Sequence, residues 1–98
     1  MTDNDLDGIR EVLSAPGSLE ILFILSSGPC TKTDVYRLMN GSRNISDTLE
    51  VLETDGLVSV DEDGDAVILS LTYRGAMLID LLRWADRLLD RDRFTMLG

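Results

Sequence analysis

The feature that most constrains this chain is a change of apolar period between Thr31 and Leu71, cut at two points by residues that stop helices. In Thr31-Lys-Thr-Asp34 a hydroxyl is placed to accept from orphan N–H groups and an acid follows three residues on. Val35, Leu38 and Met39 then continue at helical spacing. Asn40-Gly41 offers the left-handed backbone that ends a helix, and Ser42 offers a cap for the next. In that second helix Ile45, Leu49 and Leu52 share one stripe. Rotation by about 100° per residue puts Arg43, Asp47, Glu50 and Thr54 on the opposite, outward face. Asp55-Gly56 ends it, and the period falls to two at Val58 and Val60. An exposed turn from Asp61 to Asp65, with Gly64 supplying a positive φ, and the continuous run Val67-Ile-Leu69 complete a hairpin.

The flanks read as helices. Leu6, Ile9, Val12 and Leu13 recur at helical spacing and stop before Pro16-Gly17. Ser18 is placed to cap a helix whose residues Ile21 to Ile24 are apolar nearly all round, which predicts burial on most sides. Ser26-Ser-Gly-Pro29 is its exit turn, with Cys30 just after it. Thr72 can cap a last helix running to about Asp92. That helix carries two adjacent seams with coiled-coil spacing: Met77, Leu81, Trp84 and Leu88, and beside them Leu78, Leu82, Ala85 and Leu89. A chain of 98 residues can cover one seam with its own lead and core helices, so the other is expected to meet a second copy. The expected organisation is one domain: a lead segment over 1–17, the central unit over 18–71 and the C-terminal helix over 72–93.

Composition removes several chemistries. There is no histidine and a single cysteine, Cys30, so neither a zinc site nor Ser/Cys-His catalysis has its residues, and no intramolecular disulfide can form. No cofactor is implied. Asp61, Asp63 and Asp65 have the spacing of a calcium loop, but Gly64 is out of place and Thr72 stands where the last acid ligand belongs. Paired carboxylates on an exposed turn make no catalytic cleft, and an enzyme is not expected. No apolar run approaches the ~20 residues that span a bilayer, and the acidic start Met1 to Asp7 is unlike a signal peptide, so a cytoplasmic protein is expected.

Net charge is −9, built from thirteen Asp and five Glu against eight Arg and one Lys. The Asp-rich, Lys-poor balance resembles proteins of salt-accumulating halophiles. An acidic surface opposes approach to phosphate, but at molar salt the screening length shrinks to about 3 Å.

Two motifs carry a family resemblance. Leu49-Glu-Val-Leu-Glu-Thr-Asp-Gly-Leu-Val58 is similar to the LxxLExxGLV ending of a winged-helix recognition helix. Leu71-Thr-Tyr-Arg-Gly75 is similar to the LTxxG that leaves the wing of MarR-, PadR- and related archaeal winged-helix regulators. The resemblance covers roughly residues 18–90 and implies a mostly α winged helix-turn-helix with a small β-hairpin and a C-terminal dimerisation helix.

It also implies a homodimeric transcription regulator that binds double-stranded DNA. Lys32, Thr33, Tyr36 and Arg37 are then expected near phosphates, and Ser42, Arg43, Asn44, Ser46 and Asp47 at the groove. Where such regulators often carry Arg or Lys, this chain has Asp47, Val51 and Thr54, and Asp61 to Asp65 at the wing. The alternative is a winged-helix module that binds a protein partner rather than DNA.

Overall fold

The computed structural model describes residues 6–40 and 44–90. In chain order the elements are α1 (Asp7–Ser14), α2 (Ser18–Leu25), β1 (Cys30–Thr31), α3 (Lys32–Leu38), α4 (Ile45–Thr54), β2 (Val58–Asp63), β3 (Ala66–Leu71) and α5 (Tyr73–Leu88). The three strands form one antiparallel sheet in the order β1-β3-β2. The core joins Val12, Ile21, Leu22 and Leu25 to Val35, the α4 stripe, Leu57, Val58, Leu69 and Ile79. Among the described residues no helix is long and apolar enough to cross a membrane.

The first helix forms as expected and stops before Pro16, with Ala15 in the extended conformation a following proline favours. Only its Val12 is buried; Leu6, Ile9 and Leu13 stay exposed. The expected cap of α2 is corrected. Gly17, at φ +75°, occupies the cap position, and Ser18 is instead the first helical residue, buried and without a side-chain cap bond. The expected burial of α2 on most sides is also corrected. Ile21, Leu22 and Leu25 are buried, but Leu19 and Phe23 remain 38% and 41% exposed, because they border a groove toward the end of α5 that none of the described residues fills.

Thr31 caps α3 as its sequence implies, its Oγ1 accepting from the Asp34 N–H at 3.0 Å. Asn40 takes the left-handed conformation at φ +58°. The start of α4 differs from expectation. Asn44, not Ser42, holds the cap position and makes no side-chain cap bond, its carbonyl accepting instead from the Thr48 N–H. Ser42 and Arg43 lie outside the described residues. The stripe Ile45, Leu49 and Leu52 is buried together with Thr48, whose hydroxyl donates to the Pro16 carbonyl at 2.6 Å.

The other end of α4 closes with a pair of backbone bonds, Leu57 N–H to Leu52 O and Gly56 N–H to Glu53 O, around Gly56 at φ +76°. This pairing satisfies two orphan carbonyls and buries Leu57 against the core. The hairpin then runs in register from Val58 opposite Leu71 to Asp63 opposite Ala66. The turn is shorter than the sequence suggests. Gly64 and Asp65 alone make it, and Asp61, Glu62 and Asp63 are paired strand residues whose side chains remain exposed.

Cys30 is not in a turn but in β1, pairing with Leu69, while Thr31 pairs with Ile68. Thr72 caps α5, its Oγ1 accepting from the Gly75 N–H at 3.0 Å. The helix ends at Leu88 rather than near Asp92, with Leu89 as its C-cap; residues 91–98 are outside the described set.

Candidate nucleic-acid interface

The described members of the expected site fall on α3 and at the start of α4. Lys32 opens α3 and is half-buried, with Nζ 5.9 Å from the centroid of the Tyr36 ring. The Tyr36 hydroxyl is hydrogen-bonded to Ser46 Oγ across the two helices. Arg37 is turned back on its own helix, pairing with Asp34 Oδ1 at 3.1 Å. Its side chain is 73% exposed, so the pair is a weak surface contact that a phosphate can displace. Thr33, Asn44, Ser46 and Asp47 are all exposed, whereas Arg43 and Ser42 are outside the described residues.

The outward face of α4 carries Asp47, Glu50, Glu53 and Thr54, and α4 holds no basic residue. Among the described residues, Lys32 on α3 brings positive charge toward the first turn of α4 through Tyr36 and Ser46. Between the start of α3 and the end of the hairpin lies a shallow groove lined by Lys32, Thr33, Tyr36, Asp65 and Val67. The carboxylate-bearing turn therefore stands close to the lysine, an arrangement that sequence spacing does not show because the two are brought together by the β1–β3 pairing.

The second surface is on α5. Met77, Leu81, Trp84 and Leu88 are exposed by 48%, 63%, 61% and 62%, so among the described residues this whole seam is uncovered. Of the adjoining seam, Leu78 and Leu82 pack on the core, but Ala85 and Leu89 are exposed. The expectation that the chain's own helices would cover that seam therefore holds for its first half only. The buried positions of α5 are Gly75 and Ile79, and Ile79 belongs to neither seam. Ile9 and Val12 of α1 line the same cleft as Leu78, which extends the apolar surface onto the first helix.

No family model matches the chain, and no curated protein matches it. Solved structures do. The homodimeric winged helix-turn-helix DNA-binding domain Mb0332 from Mycobacterium bovis, a possible ArsR-family transcriptional regulator, superposes with a TM-score of 0.73 at 21% identity, covering 93% of each chain. HlyU from Vibrio cholerae gives 0.70 at 21% identity, over 87% of this chain and 97% of that one. The transcriptional repressor BigR from Xylella fastidiosa gives 0.67 at 23% identity, over 81% and 83%. The fold is a winged helix-turn-helix.

In this winged helix α3 and α4 are the helix-turn-helix and β2–β3 is the wing. The expected class, mostly α with a small hairpin and a C-terminal helix, is the observed one, although the sheet gains β1 as a third strand. These three neighbours are named HlyU, BigR and a possible ArsR-family regulator, not MarR or PadR, and what they share with this chain is the fold. Sequence reasoning missed the Tyr36–Ser46 bond and the closeness of Lys32 to the wing turn. A period marks the buried side of a helix, but partners on the exposed side have no period to reveal them.

Proposed function

We propose that this chain is a DNA-binding transcription regulator that acts as a homodimer through α5. The observation that carries the reading is the placement of α4: its inner stripe is buried while its outer face is exposed, and Tyr36, under Lys32, joins its first turn to α3. A helix so presented can enter a major groove, and two of them in a symmetric dimer meet half-sites about one helical turn apart, roughly 34–36 Å. Mb0332, described as a homodimeric DNA-binding domain of the same fold, supports both parts.

Lys32, Thr33, Tyr36 and Arg37 are assigned to the phosphate side, and Ser42, Arg43, Asn44, Ser46 and Asp47 to the groove. The MarR/PadR likeness is kept as a reading of the two motifs alone. Chemistry on a substrate is not part of the reading: the neighbours named by role are regulators, and the wing carboxylates lie on an open strand. A cytoplasmic location goes with a DNA-binding role.

The acidic outward face, Asp47, Glu50 and Glu53 with Asp61 to Asp65 beside it, favours a second reading in which the domain binds a protein partner. Binding to labelled genomic fragments at moderate and at molar potassium chloride separates the two. DNA binding predicts that Lys32→Gln weakens all sequences about equally and lowers the salt slope by roughly one phosphate. Arg43→Ala should cost about 1–3 kcal/mol at the preferred site alone. If no fragment binds at either salt, and α5 substitutions instead abolish binding of a protein, the second reading replaces the first.

A further inference from the structure

The first turn of α4 begins without a side-chain cap. A helix start of that kind leaves backbone donors unsatisfied and frays unless something else holds it. Among the described residues two side-chain hydrogen bonds tie this turn to the rest of the chain. Thr48, buried, donates to the Pro16 carbonyl on the inner side. Ser46, exposed, is bonded to the Tyr36 hydroxyl on the outer side. The Tyr36 ring is itself packed against the core, and Lys32 Nζ stands over it. One aromatic side chain thus connects the start of α3, the core and the exposed first turn of α4.

The geometry points to Tyr36 as a positioning residue, which holds Ser46 and the start of α4 in a fixed relation to Lys32. On the DNA-binding reading, from which this follows, phosphate contact at α3 and base reading at α4 must occur on one duplex at the same time. Reading a base edge requires the contacting groups to be held within about 0.5 Å. A long exposed serine-bearing turn does not meet that standard unaided. Tyr36, expected from the sequence near phosphate, on this assignment acts through Ser46 rather than on DNA.

The test is a double-substitution cycle of Tyr36→Phe, Ser46→Ala and the pair together. The probes are a short duplex enriched from a random pool by the unmodified protein, and a mixed-sequence duplex of equal length. Each single change should weaken the enriched duplex about threefold to tenfold, the effect of one hydrogen bond, and the pair should be no weaker than the worse single. The salt slope should stay that of the unmodified protein, while Lys32→Gln lowers it. In the free protein, amide exchange in the first turn of α4 should quicken equally in all three variants and stay unchanged in α5.

Additive losses mean that the tyrosine contacts DNA itself, and a lowered salt slope in Tyr36→Phe means that it acts through the Lys32 phosphate contact; either overturns the assignment. Unchanged affinity with unchanged exchange overturns it too, leaving the DNA-binding reading intact. No duplex bound by the unmodified protein removes that reading and this assignment with it.

Discussion

At Gly75 there is no room for a side chain. A Cβ built there would stand 2.1 Å from the Leu57 carbonyl oxygen and 3.0 Å from its carbon, both backbone atoms that cannot swing aside. The same Leu57 carbonyl accepts from the Thr72 N–H at 3.0 Å, and the Thr72 hydroxyl donates to the Gly56 carbonyl at 2.5 Å. The two sequence motifs, one ending in Gly56-Leu57-Val58 and the other in Gly75, are therefore the two sides of a single contact. Gly75→Ala should lower stability by about 1–3 kcal/mol or more through overpacking, although alanine is the better helix former by about 1 kcal/mol. Gly8, in α1 with nothing within 4 Å of its built Cβ, provides the control. Gly8→Ala should raise stability by roughly 0.5–1 kcal/mol. Urea midpoints measure both, and a Gly75→Ala midpoint at or above that of the unmodified protein would show the contact to be slack.

Among the elements, α5 and the wing make separate predictions. The exposed seam Met77, Leu81, Trp84 and Leu88 is an apolar row that no described residue of the chain covers. Aspartate at Leu81 and Leu88 together would place charge in an apolar contact between copies, so the doubly substituted protein should sediment as a monomer. An unmodified protein that sediments as a monomer at high concentration removes the dimer. On the wing, changing Asp61, Asp63 and Asp65 to Asn removes repulsion from a nearby duplex. Non-specific affinity should rise with the preferred site unchanged; a shifted site would mean that the wing reads bases. How far the sequence shows all this depends on the element. Both helices of the helix-turn-helix are legible because stops, an apolar stripe and the Thr31 cap are local signals, and Thr31, Asn40 and Gly56 behave as their residue types require, whereas the start of α4 falls at Asn44 and not at Ser42. Spacing on α5 reveals which residues are apolar but not which side the core takes, and the core takes Gly75 and Ile79. The strand β1 leaves no local trace, since two residues have no period and their partner is distant in the chain. For the site, the exposed face of α4 is legible as the complement of its stripe, while the Tyr36–Ser46 bond depends on how two helices cross.

On the scale of the whole molecule, a charge of −9 with one lysine should make the fold salt-dependent. Carboxylate repulsion acts most strongly at low ionic strength, so the melting temperature should climb as potassium chloride rises into the molar range. A flat profile would remove the halophilic interpretation and, with it, the screening that lets an acidic face approach phosphate. The two-residue strand β1 has a different consequence. By joining Cys30 to Leu69 it closes the helix-turn-helix and most of the wing into one loop of chain. The wing is made by a two-residue turn, and such hairpins form on the order of 1–10 μs. Strand β1 has nowhere to dock until β3 is in place, so its closure is the later event in folding and the earlier one in opening. Amide exchange should accordingly be faster at Cys30 and Thr31 than at Val58 to Val60, and equal rates would show that the loop opens as one unit. Opening of this kind leaves the wing paired while the start of α3, with Lys32, loses its tie to the sheet.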